Sequence, residues 1–176
     1  MAPEFDVVDL GPADHPAEEE HAPDFVRPLV SVEYWEDSSL SELLESGPVL
    51  LVFHPMAGAF PATYLWNELR DRDVGAFEAS IVGLTISTPY DLTSFVREHD
   101  LEDTGIRFFS DPANDVAEQY GIVHDLDGMT GIEEPRPATF LIDQDGTITH
   151  TWVAREWPEF PNYDELIAAL ERVTGE

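Results

Sequence analysis

The chain has no cysteine and no lysine. The first absence excludes disulfides, thiolate metal sites and every mechanism that needs a thiol. The second leaves eight arginines as the only side chains positive at pH 7 against 37 Asp and Glu, for a formal net charge of −29 with histidine neutral. Nucleic acid is a poor partner for such a chain, because binding it means neutralising phosphates with basic groups. Anionic membrane surfaces are disfavoured for the same reason. Long apolar runs are missing too, and nothing approaches the roughly 18 residues of a membrane helix. The opening residues, MAPEFDVVDL, lack the basic region and apolar core of a signal peptide, so a cytoplasmic location is expected.

What is present is a chain of 176 residues, 43% of them hydrophobic and clearly periodic, enough for one domain with a real core. That periodicity argues against disorder, which acidity alone would suggest. The alternative is a folded protein adapted to concentrated salt, where the Debye length falls to about 3 Å at 1 M and self-repulsion is screened. Residues 1–24, rich in Pro, Ala, Asp and Glu, read as an acidic arm, mobile or loosely draped, with Phe5, Val7 and Val8 able to add a short edge strand. Residues 25–176 read as a single domain.

The domain is organised around Val49 to Arg70. Val49 to Phe53 is a short, fully apolar run of strand-forming types, and Pro55 ends it. Gly58 permits a tight turn, and Pro61 suits the first turn of a helix. Ala62, Leu65, Trp66 and Leu69 then recur at i, i+3, i+4 and i+7, one apolar helical face. The helix N-terminus therefore lies at the carboxyl end of a buried strand, where ligands gather in open α/β sheets.

Around it the pattern continues. Leu29 to Trp35 reads as a short strand or hairpin arm, followed by a brief helix capped by Ser38 or Ser39 and closed at Gly47. Ala79 to Ile86 is apolar on both faces, a central strand. Thr88, Pro89 and Asp91 open a helix whose inner stripe is Leu92, Phe95, Val96 and His99. Ile106 to Phe109 is a strand, and Asp111 and Pro112 begin a short helix ending at Gly121. After an acidic loop over 123–135, Thr139 to Ile142 and Thr147 to Val153 form a hairpin. Asn162 caps a last helix carrying Tyr163, Leu166, Ile167 and Leu170. The order describes a mixed sheet between helices, an α/β domain.

That order, with certain motifs, resembles the thioredoxin-like fold and specifically the peroxiredoxin family, of AhpC/TSA type, with its characteristic insert. Ala22 to Phe25 (APDF), Val49 to Pro55 (VLLVFHP), Ile81 to Phe95, Phe108 to Ile122 (FFSDPANDVAEQYGI) and Ala138 to Ile148 (ATFLIDQDGTI) are each similar to family segments, in the family's order. The resemblance implies thiol peroxidase chemistry, in which a cysteine thiolate near a helix N-terminus attacks the peroxide O–O bond. The family motif P-x-x-x-T-x-x-C, started at Pro55, puts Ala59 at the threonine and Ala62 at the cysteine; one gap puts Thr63 there instead. Neither supplies a thiol. The family arginine falls at position 137, where this chain has Pro137 with Arg136 one residue earlier. Proline before Ala-Thr-Phe-Leu-Ile-Asp also resembles thioredoxins, which implies a cis bond at Pro137. Arg136 is left between two positions, in the old pocket or on the surface.

Other constellations are weaker. His54 and His150 belong to no ligand spacing, so no metal and no cofactor is expected. The pairs Asp125/Asp127 and Glu133/Glu134 read as salt-adapted surface. Trp152, Trp157, Phe160 and Tyr163 read as packing of the last strand and helix, with a partner-binding patch as the alternative. The expectation is a cysteine-free peroxiredoxin-like protein, its peroxidase activity lost, acting as a binding or regulatory module on a protein partner or as a homodimer. The alternatives are an oxidoreductase working through a bound cofactor, metal or partner thiol, and an inactive subunit beside an active paralogue.

Overall fold

A computed structural model describes residues 7–125 and 130–175; Phe5 and Asp127, named above, lie outside them. The strands are β1 (Val8–Asp9), β2 (Val26–Val30), β3 (Trp35–Ser39), β4 (Val49–Phe53), β5 (Ser80–Thr85), β6 (Arg107–Ser110), β7 (Val123–His124), β8 (Glu134–Pro135), β9 (Ala138–Ile142), β10 (Ile148–Val153) and β11 (Glu156–Trp157). The helices are α1 (Leu40–Leu44), α2 (Phe60–Asp71), α3 (Pro89–Glu98), α4 (Asp115–Gln119) and α5 (Tyr163–Thr174). Seven strands make one mixed sheet in the order β10-β9-β4-β5-β6-β2-β3. β4, β5 and β6 run parallel, and the strands outside them are antiparallel to their neighbours. This is the α/β layout the order of segments implies.

The apolar pattern decides which helix covers which face. Leu50, Val52, Ile81, Phe108 and Leu141 point to one side, where α2, α3 and α5 bury Leu65, Trp66, Phe95 and Leu170. Val49, Leu51, Phe53, Val82, Leu84 and Phe140 point to the other, against α1, α4 and Tyr120. β4 lies in the middle, and all five of its residues are buried. Gly83 on β5 is where α2 comes closest: a Cβ there would stand 2.7 Å from the Trp66 ring and 2.6 Å from Phe108, closer than atoms can pack.

Local signals place the helices. Ser39 caps α1 by accepting from the Glu42 N–H at 3.1 Å. Thr88 and Asn162 do the same for α3 and α5. The helix expected from Asp111 starts later, at Asp115, but the Asp111 carboxylate still accepts the Val116 N–H at 2.8 Å.

The arm carries the edge strand expected at Val8. From Val7 on it is laid along the domain: β1 pairs with β11, the amides of Glu19 and Ala22 donate to the carbonyls of Ile148 and Gly146, and the Tyr120 hydroxyl donates to the Pro23 carbonyl at 2.7 Å. Backbone bonds of this kind hold a polar segment with little apolar burial.

Candidate functional site

The site the sequence singles out is the junction of β4 and α2. Pro55 is buried where the strand ends, the chain turns through Gly58 at φ 96°, and α2 begins at Phe60 with Pro61 in its first turn. The N-cap is Ala59, which has no side-chain acceptor for the helix amides. Instead its carbonyl takes the N–H groups of Ala62 and Thr63 at 3.1 and 3.3 Å. The loop amides are also satisfied from within. The Met56 N–H donates to Glu134 Oε2 at 2.8 Å, and the Ala57 N–H donates to Ser87 Oγ at 2.7 Å. Ser87 is held in turn, since Ser110 Oγ donates to its carbonyl at 2.6 Å. A loop that presents amides at a strand end is a place for an anion or a polar oxygen. Here a carboxylate and a hydroxyl of the same chain stand in that place.

Pro55, Ala59, Ala62 and Thr63 thus share one strand-end loop and first helical turn. Ala62 is completely buried in the core with Leu65, Trp66 and Leu69, while Ala59 and Thr63 are half-buried. The register that pairs Phe53 with Ala138 carries Pro137 opposite His54, so Pro137 borders the same strand end. Its peptide bond is trans, contrary to the thioredoxin resemblance; among the described residues the cis bond is Trp157–Pro158. The Arg136 N–H donates to the Ile122 carbonyl and the Pro137 carbonyl accepts from Ala154, so the chain runs extended from β8 into β9.

Arg136 takes neither position left open for it. It is buried, and its guanidinium donates to the carbonyls of Leu10 (2.9 Å), Gly11 (2.7 Å) and Ala154 (3.3 Å). It therefore locks the arm to the end of β10, and burial lowers its pKa. The pair Glu133/Glu134 also divides. Glu133 is exposed as expected, but Glu134 is buried, with Met56 as a partner. Its sequence signal was only its place, four residues before the buried strand β9. Ser87 was missed for a similar reason, as a lone hydroxyl between a strand and a helix cap.

These residues sit in a recognisable frame. A family model described as AhpC/TSA matches residues 19–151. The chain belongs to the AhpC/TSA family. Solved structures agree on the fold. Peroxidoxin BcpB from Mycobacterium tuberculosis is 25% identical with a TM-score of 0.73, covering 90% of this chain and 99% of that one. The reduced 2-Cys peroxiredoxin of Plasmodium vivax is 18% identical with a TM-score of 0.72, over 90% of this chain and 96% of that one. AhpC of Mycobacterium tuberculosis is 16% identical with a TM-score of 0.69, over 89% and 92%. Among curated proteins none matches the chain. The fold is thus thioredoxin-like, and this AhpC/TSA member has no cysteine anywhere in its sequence.

The remaining ionisable group beside the junction is His54, fully buried among Trp66, Phe95 and Phe108, with ring centroids 5.6, 6.4 and 5.7 Å away. Its Nδ1–H donates to the Pro55 carbonyl at 2.8 Å, which leaves Nε2 as an acceptor with no partner among the described residues. Burial pushes its pKa down to about 4. An imidazole so placed stays neutral and is enclosed by rings. His150 is half-buried on β10, and burial lowers its pKa as well. Among the described residues no three His, Asp or Glu side chains gather as a metal site, and no helix is long and apolar enough to cross a membrane.

Proposed function

We propose that this AhpC/TSA-family chain is a non-catalytic member that keeps the scaffold and works by binding. One observation carries the reading: at the β4–α2 junction Glu134 and Ser87 of the chain itself take the loop amides, while alanines stand at the family's threonine and cysteine positions. A peroxide entering there would meet occupied donors, a carboxylate and no nucleophile. A methyl group cannot attack an O–O bond, and the hydroxyl of Thr63 is neither ionised nor redox-active at neutral pH. Evolution towards catalysis keeps such donors open for the reacting oxygen; this junction has closed them. The protein is then a single domain with an acidic arm, acting in the cytoplasm on a protein partner or a second copy of itself.

The test is peroxide consumption by the purified chain, with and without thioredoxin and its reductase. No turnover above buffer is expected in either arm. Robust turnover in either would overturn the reading, and turnover only with the added thiol system would point to a borrowed thiol.

A further inference from the structure

The seven-stranded sheet ends on β3, which among the described residues has β2 on one side and no strand on the other. The β2–β3 hairpin decides which backbone groups face outward. Its closing bond runs from the Ser31 N–H to the Tyr34 carbonyl at 3.0 Å, and bonded and open pairs alternate from there. Leu29–Glu36 and Arg27–Ser38 are then the bonded pairs, so Trp35 and Asp37 turn their N–H and carbonyl groups away from β2. Pro28, which has no N–H to give, stands opposite Asp37 at an open pair. Exposed rings gather at this edge. Tyr34 is 63% exposed, Trp35 38% and Tyr90, at the start of α3, 74%. The Trp35 and Tyr90 rings meet edge to face at 5.0 Å. Glu33, Glu36 and Asp37 on the hairpin, and Asp91 next to Tyr90, are exposed and have no ion pair among the described residues. The hairpin's own arginine, Arg27, is taken by Asp111 and Asp115.

We propose that the outer edge of β3 takes an extended basic segment of a partner protein as an added strand. An open edge offers main-chain hydrogen bonds to any strand, and the side chains beside it choose which one. Trp35 pairs with Val30 and so shares the sheet face that α3 covers, as does Asp37 two residues on. Arginine or lysine at alternate positions of the added strand then falls beside Trp35, Tyr90 and Asp37. Indole and phenol rings attract such cations and pack their aliphatic stems, and the free carboxylates reinforce the choice. A second copy of this chain is a poor occupant. Edge-to-edge pairing would set Glu36 and Asp37 of one copy beside those of the other, and like charges across a ladder are destabilising. An acidic segment meets the same repulsion, and an apolar one desolvates the carboxylates without pairing them. The edge lies four strands from β4 and its junction with α2. The proposal rests on the binding role proposed above and names the chemistry of the partner.

The test is an NMR titration of the full chain, in dilute buffer and in molar KCl. The probe is a short capped peptide alternating arginine with threonine. Its controls are the glutamate and glutamine counterparts and the arginine peptide N-methylated at every residue, which keeps the charge but cannot donate to a ladder. With the arginine peptide, saturating shifts confined to the amides of residues 34–38 and Tyr90 are expected, with slower hydrogen exchange at Trp35 and Asp37. Molar KCl should weaken this binding without abolishing it. Asp37→Pro removes an outward donor but no β2–β3 bond, and should weaken binding at least about tenfold. Tyr90→Ala should weaken it about two- to fivefold. Should Asp37→Pro fail to fold, the N-methylated peptide makes the same cut from the ligand's side. The proposal is overturned if no saturating shift is seen, if the N-methylated peptide binds as well, if molar KCl abolishes binding, or if Asp37→Pro binds like the parent. Shifts of Trp35 and Asp37 that follow protein concentration without peptide would assign the edge to a second copy and also overturn it. Peroxide consumption enters none of these outcomes, so failure here leaves the non-catalytic reading standing.

Discussion

Replacing His54 by methionine should change how stability depends on pH. The imidazole is fully buried, and burial holds its pKa near 4 instead of the ordinary 6.5. Between those values the unfolded chain carries a proton that the folded chain refuses. Unfolding then takes up a proton, so stability falls as pH drops through 6.5 and the loss is complete below about 4. Well above 6.5 both states are neutral and the titration of the group contributes nothing. At about 1.36 kcal/mol per pH unit, the loss from His54 alone is about 2 kcal/mol between pH 7.5 and 5, and about 3 kcal/mol in full. Protonation of surface carboxylates acts the other way, because it relieves self-repulsion on a chain of net charge −29. The observable is therefore the difference between parent and His54→Met, which fills a similar volume and does not titrate. Urea unfolding in molar salt at several pH values from 7.5 to 5 measures it. The parent should lose about 2 kcal/mol relative to the variant across that range. Parallel stability curves would refute the argument, whatever constant offset separates them.

Ala62→Cys should give an inert thiol. Its side chain lies wholly in the core, where burial shifts a thiol by more than the roughly 0.3–1 kcal/mol a helix N-terminus returns; an apparent pKa below about 8.5 by alkylation rate would contradict this. The fold should melt at higher temperature in 2 M KCl than in dilute buffer, because salt screens acidic self-repulsion, and a flat or falling melting temperature would count against it. Arg136→Met should free the arm, cost about 2–3 kcal/mol for three lost charge-assisted hydrogen bonds, and open new cleavage sites before residue 24 in limited proteolysis. An unchanged digestion pattern would show that the arm is held by other contacts.

The sheet and its helices were legible because they follow from hydrophobic spacing and caps. Val49 to Phe53 could only be a covered strand, and Ser39, Thr88 and Asn162 announce their helices with side-chain oxygens. That Pro55, Ala59, Ala62 and Thr63 share one strand-end loop and first helical turn was legible from the apolar run, Gly58 and Pro61. In the arm the edge strand at Val8 was legible and forms as β1; the rest was not, because it is held partly by backbone amides of Glu19 and Ala22, which leave no mark in composition. Glu134 looked like surface because acidic residues abound. Its burial is set by an amide 78 positions away, a pairing no local pattern records. Arg136 misled through the resemblance: a shift of one residue in an extended segment turns a side chain to the opposite side, here toward Leu10 and Gly11.

The pairing of β1 with β11 joins residues about 150 positions apart. On the ribosome, the stretch around Val8 emerges early and has nowhere to go until Glu156 and Trp157 have been made. Throughout synthesis, then, Leu10 waits without the carbonyl of Arg155 that its amide will meet, and Arg136 is made before Ala154, one of its three acceptors. Docking of the arm therefore cannot precede the synthesis of Trp157, and when it becomes possible only α5, with Leu166 and Leu170 for the core, has still to be added.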